Sequence, residues 1–185
     1  MPRVSPDHLE ARRQQILDGA RAAFARHGYE GATVRVLEEE IGLSRGAIFH
    51  HFADKDAVFM ALAGQDAAAM AATVAREGLV QVMRDMIGAP DTGWLGTQLE
   101  ISRRSRTDTR FREAWAAQSA QVRVATRARL NRQREAGILR TDVEVEVLAC
   151  YLELVLEGLV THLAEDLPGD AMSPVLDVVE MSVRR

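Results

Sequence analysis

Apolar residues recur three and four positions apart along most of the chain, the spacing of amphipathic helices, and no parallel-sheet pattern appears. Ile16, Leu17, Ala20, Ala23 and Phe24 mark a first helix over residues 9–27, stopped at Gly28. Thr33 offers an N-cap hydroxyl for a short helix over 34–40 that ends at Gly42, and Ser44 does the same for 45–51. Asp54 caps a longer helix running toward Ala75, with Val58, Phe59, Leu62 and Met70 on one face. Residues 88–93, with Pro90, read as a loop, and further helices are predicted at 94–105, 108–136, 143–165 and 173–183. Gly137, Thr141-Asp142 and Pro168-Gly169 punctuate their boundaries. Residues 1–8 carry two prolines and no periodicity and are predicted to be a short flexible arm, in which Arg3 leaves open an ordering in the minor groove. The fold class is all-α with about nine helices, divided into residues 1–55 and 56–185.

Composition narrows the class. A chain of 185 residues makes one domain, or two sharing a core, and 47% apolar with 27% charged residues excludes disorder of the whole chain. Aromatic residues are only 5%, a helix-forming mixture. Cys150 is the lone cysteine, so no intrachain disulfide framework exists and a reducing compartment fits. The N-terminus lacks the apolar stretch of a signal peptide, and no uncharged run approaches the ~18 residues of a membrane span. A cytoplasmic protein is expected. The net charge of −4 argues against coating nucleic acid by bulk electrostatics but leaves room for a local basic face.

Two short helices joined by Gly42-Leu43-Ser44 have the proportions of a helix-turn-helix. Ile41 and Leu43 can pack the pair on the first helix. The second then presents Arg45, Ala47, His50 and His51 outward, with Ile48 and Phe52 toward the core, and small Gly46 and Ala47 allow close approach to a groove floor. Arg45 and Lys55 sit just inside helix N-termini, where a cation opposes the macrodipole by about 0.3–1 kcal/mol. A docked phosphate reverses that sign. Glu38, Glu39 and Glu40 should face solvent or other helices. The same segment satisfies G-x-S-x-G, but hydrolase chemistry needs a strand before the serine, and the residues before Ser44 read as helix. The five histidines have no metal-ligand spacing beyond the adjacent pair.

The last two predicted helices are apolar on more than one side. Residues 143–165 carry Val145, Val147, Leu148, Leu152, Val155, Leu156, Leu159, Val160 and Leu163, with Gly158 permitting close approach; the last carries Val175, Leu176, Val178, Val179 and Val183. One stripe can line the subunit core and the other can meet a partner, giving a four-helix interface between two copies.

Charges also stand on apolar faces: Arg129 among Val122, Ala125 and Thr126, Glu180 beside Leu176, Val179 and Val183, and Glu100 with Arg103 next to Leu99. A buried charge must pair or meet a charged ligand. An internal Arg129–Glu180 bridge and an anionic effector both satisfy this pattern. Beyond Trp94, Trp115 and Tyr151 there are few aromatics, so a flat hydrophobic ligand is not well provided for.

The run from Gly31 through Thr33 and Arg35, and from Ile41-Gly-Leu-Ser-Arg-Gly-Ala-Ile-Phe-His-His-Phe52 to Phe59, resembles the DNA-binding domain of TetR-family transcriptional regulators. That resemblance implies a homodimeric repressor of all-helical subunits, each with an N-terminal helix-turn-helix and a C-terminal ligand and dimerisation domain, and no enzymatic activity. It implies contacts to a double-stranded operator from Thr33, Arg35, Ser44, Arg45, Gly46, Ala47, Phe49, His50, His51 and Lys55. Phe49 stands where the family usually has a phosphate-touching tyrosine, so packing is expected from Phe49 and the phosphate contact from His50. The stretches at 27–35, 78–86, 99–102, 140–143 and 175–180 resemble the branch that represses aconitase in actinobacteria. That branch implies citrate carried with Mg²⁺ as effector, bound by Arg129 and Glu180, with Glu180 toward the metal and Glu100 and Arg103 within reach. The alternative is a regulator of efflux or lipid metabolism with an apolar effector.

Overall fold

The computed structural model describes residues 6–165 and 172–185. Arg3 and the Pro168-Gly169 boundary lie outside the described residues. Among those described are nine α-helices: α1 Pro6–Gly31, α2 Val34–Ile41, α3 Arg45–His51, α4 Lys55–Glu77, α5 Leu79–Gly88, α6 Thr92–Thr107, α7 Thr109–Glu135, α8 Val145–Ala164 and α9 Met172–Val183. A single antiparallel bridge, Leu139–Arg184, ties the loop after α7 to the C-terminus.

Side-chain caps decide most of the starts. Thr33, Ser44, Asp54, Asp91 and Asp108 each accept a hydrogen bond from the backbone N–H three residues on, at 3.4, 3.4, 2.7, 3.0 and 3.0 Å. Such a cap stabilises its helix by about 0.5–2 kcal/mol.

Three expectations change. Residues 6–8 belong to α1 rather than to an arm, because proline suits the first helical position and Asp7 complements the helix N-terminus. Helix α5 is absent from the sequence-based prediction, although Leu79, Val82 and Met83 are buried at helical spacing; Gly78, at φ 96°, turns the chain with no side-chain cap to announce the start. The loop at 88–93 shrinks because Asp91 caps α6 and draws Gly93 into it. Gly28 (φ 65°) does break α1 where expected, with a last turn carried to Gly31.

Two apolar cores result. The first gathers α1–α3, the first half of α4 (Val58, Phe59, Leu62, Ala63), Ile101 and Phe111. The second gathers Val74 with residues of α5, α7, α8 and α9. The expected boundary at 55/56 therefore falls in the first turn of α4, a rod about 34 Å long that belongs to both cores. Helices α4 and α8 are long and apolar enough to cross a membrane by length and composition alone. In the fold, α4 packs along α7, and α8 packs against α6 and α7.

The approach of α1 to α2 depends on Gly19. A Cβ there would stand 2.8 Å from Ile41 Cα, so only glycine lets the helix pair close on α1.

Candidate functional site

The turn between α2 and α3 is built by Gly42, whose φ of 72° lies in the left-handed region and whose N–H closes on Glu38 O at 3.0 Å. Ile41, Ile48 and Phe52 are buried beneath it. With that face anchored, Arg45, Gly46 and His50 are exposed, and Ala47, Phe49 and His51 are half-buried. Phe49 packs against the first core, and Arg45 stands 6.0 Å from its ring. The His50 and His51 rings meet edge to face at 5.5 Å. Thr33 and Ser44 are exposed at the starts of α2 and α3 while acting as caps. Arg35 pairs with Glu39 at 2.9 Å on the surface, and that bond raises the pKa of the guanidinium. An exposed pair of this kind is readily exchanged for a phosphate.

Two details depart from expectation. Lys55 is engaged within the chain. It is half-buried, donates to Tyr29 O at 2.9 Å and stands 4.1 Å over the Tyr29 ring, drawn to the negative end of α1. The start of α3 is not left for an anion alone either: Glu38 accepts the Arg45 N–H at 2.6 Å and supplies negative charge from within. Glu40 is likewise engaged, with Arg26 at 2.7 Å.

Two cavities of the body take in predicted residues. One, of about 270 Å³, is lined by Glu77, Gly78, Arg84, Thr126, Arg129, Gln133, Glu180 and Arg184 among others. It brings Arg129 and Glu180 together, but they do not form the internal bridge. Arg129 donates to the last carbonyls of α4, Arg76 O at 2.6 Å and Glu77 O at 3.3 Å, and its Nε is buried without a partner. Glu180 is held by Arg84 at 2.9 Å and by Arg184. Arg84 also reaches Asp177 at 2.7 Å, and the two carboxylates raise its pKa. Sequence reasoning missed Arg84 because α5 was not read as a helix, so no face could be assigned to it.

Glu100 and Arg103 do not belong to this cavity. They pair with each other along α6 at 2.7 Å, and Arg103 reaches Glu30 of α1 at 3.3 Å. Periodicity put them on an apolar face; the neighbouring end of α1 supplied a charged partner that periodicity cannot see.

The second cavity, about 760 Å³, brings Trp94 and Trp115 together with Met70, Leu99, Leu154 and Leu156. Two of the three aromatics singled out in the sequence thus line one cavity. Tyr151 lies elsewhere, accepting from Ser182 Oγ at 3.3 Å. Along the outside of the body, Val147 and Leu154 of α8 and Val175, Val178 and Met181 of α9 are exposed. Among the described residues no group of three or more His, Cys, Asp or Glu is placed to hold a metal ion.

Residues 16–62 match the family described as "Bacterial regulatory proteins, tetR family". The whole chain is 58% identical over 186 residues to the HTH-type transcriptional repressor Rv1474c of Mycobacterium tuberculosis, with all of both chains covered. It is 53% identical to the HTH-type transcriptional repressor AcnR of Corynebacterium diphtheriae over 185 residues, covering 100% of this chain and 97% of the relative. Among solved structures, Salmonella enterica GusR superposes with a TM-score of 0.79 at 21% identity, covering 98% of each chain. A regulator from Saccharomonospora viridis in complex with choline superposes with a TM-score of 0.77, also at 21% identity, over 95% of this chain and 98% of that one. These two structures share the fold.

Proposed function

The chain belongs to the TetR family of bacterial regulatory proteins and is a DNA-binding transcriptional repressor; from that premise we propose that it represses an aconitase gene in the cytoplasm as a homodimer, under the control of citrate carried with Mg²⁺. Its kinship to the AcnR repressors supports the gene assignment. The bare stripes of α8 and α9 support the homodimer, since two copies would cover them in a four-helix interface. Two α3 helices then enter successive major grooves about 34–36 Å apart. Arg35, Arg45, Gly46, Ala47, His50 and His51 face the duplex, with Thr33 and Ser44 toward phosphates.

The observation that carries the effector reading is the small cavity itself. Three guanidinium-bearing side chains, Arg84, Arg129 and Arg184, surround Glu180, and the buried Nε of Arg129 has no partner. A carboxylate-rich metabolite satisfies that donor and can grip guanidinium groups bidentately. Mg²⁺ carried with the ligand would supply positive charge against its carboxylates. Glu180 is the residue that would hold the metal, through a hard carboxylate oxygen.

The test is a thermal-shift titration of the full chain with citrate and Mg²⁺, with and without Arg129→Ala. The substitution lowers the baseline stability, because it frees the end of α4, but the expected result is loss of the citrate-dependent increment with operator binding retained. An unchanged increment removes Arg129 from the site. A second reading, an apolar effector, is favoured by the larger cavity between Trp94 and Trp115. Calorimetry separates the two, since that reading expects no heat from citrate.

A further inference from the structure

Arg104 is one of the few buried charged residues, and nothing in the DNA interface or the small cavity uses it. Its side chain is 9% exposed at the end of α6. The guanidinium lies 4.5 Å from the Tyr29 ring, 4.4 Å from Phe111 and 5.9 Å from Phe59, a setting that suits a planar, weakly hydrated cation and not an ammonium. It pairs with Asp56, in the first turn of α4, at 3.0 Å and with Asp108, the cap of α7, at 3.4 Å. Asp56 Oδ1 also accepts from the Tyr29 hydroxyl. Lys55, the neighbour of Asp56, holds Tyr29 O and stands over the same ring. One guanidinium therefore joins the end of α1, the start of α4, the end of α6 and the start of α7.

Tyr29 is four residues before Thr33, the cap of α2, so this ring lies where the helix pair leaves α1. Other charged links between the α1–α3 head and the rest differ in reach or exposure. Arg21–Asp66, at 3.0 Å, joins α1 only to α4, which belongs to both cores. Arg103–Glu30 is exposed on both sides and contributes little. We propose that Arg104 is the positioning residue that fixes the orientation of the DNA-reading head on the helical body, by clamping Tyr29 and Asp56 against the corner between α6 and α7. The assignment draws on the chain's DNA binding and on the proposed pairing of two copies, not on which effector the body takes.

The experiment measures affinity for an operator fragment defined by footprinting with the wild-type protein, and for the same fragment with one base pair inserted between its half-sites. The wild type should bind the inserted fragment about tenfold more weakly. Arg104→Gln should lose about tenfold on the native fragment and no longer tell the two apart, while the slope of affinity against salt stays unchanged because no phosphate contact is removed. Asp56→Asn, at an exposed position, should move the same way, with the double variant no worse than Arg104→Gln alone; it carries the test if Arg104→Gln fails to fold. Arg104→Lys keeps the charge without the planar stack and should recover part of the discrimination. A folded Arg104→Gln with native affinity and intact discrimination overturns the proposal, and so does a salt slope reduced by about one. A wild type indifferent to the inserted base pair removes the paired-head reading instead. The Arg104–Asp56 cycle on a single half-site then decides, additive losses overturning the clamp.

Discussion

In the reading head, Ile16, Ala20, Leu37, Ile48 and Phe59 are sealed from solvent within one chain, whereas the body leaves Val147, Leu154, Val178 and Met181 bare. The head spends its charges on caps and surface pairs: Glu38 on the start of α3, Glu39 on Arg35, Glu40 on Arg26. The body sets Arg84, Arg129, Arg184 and Glu180 around a cavity. A reader of DNA needs one rigid shape, and a complete core provides it. The body, read as the proposed effector and pairing unit, would need polar groups that can change partners and a surface left for a second copy.

The largest expected effect tests the completeness of the head. Leu37→Ala should cost about 2–5 kcal/mol in urea unfolding, independent of protein concentration, with operator binding lost in parallel. If it costs no more than the same change at Leu154, the contrast between the regions is wrong. Leu154→Glu is the complementary case. The residue is 63% exposed, so the single chain should keep its fold while sedimentation shows the monomer and affinity for a two-half-site operator falls about a hundredfold. A variant that stays dimeric at micromolar concentration would move the interface elsewhere. Gly19→Ala comes next: the added methyl meets Ile41 backbone, and about 1–3 kcal/mol of destabilisation confined to the head is expected by amide exchange.

The smallest effect concerns the loop after α7. Arg140 bonds Asp142 and holds its carboxyl at about 2, well below the usual value. The sign follows: a depressed folded-state pKa stabilises above the ordinary carboxylate range and loses that contribution as pH falls toward 2. Asp142→Asn should lower the thermal midpoint slightly at neutral pH, with the difference narrowing as pH falls through 2; a gap that does not narrow with falling pH assigns the stabilisation to packing instead.

Much of the head was legible from residues alone, because its signals are local. Thr33, Ser44 and Asp54 announce helices by capping within three residues, Gly42 announces the turn, and the apolar spacing names Ile48 and Phe52 as inward. The misses are equally physical. Helix α5 follows a single glycine with no cap, and with α5 unread, Arg84 could not be assigned to a cavity.

The sequence by itself determined the nine-helix class apart from α5, the helix-turn-helix and its outward residues, and the apolar excess of the last two helices, all consequences of periodicity and short-range backbone chemistry. Only the tertiary structure decided which charges meet. Lys55 turned to Tyr29, Glu100 and Arg103 to each other and to Glu30, Glu180 to Arg84 and Arg184, and Arg104 to a corner shared by four helices. A charged side chain chooses its partner by distance in space, and those distances exist only once helices far apart along the chain have packed together.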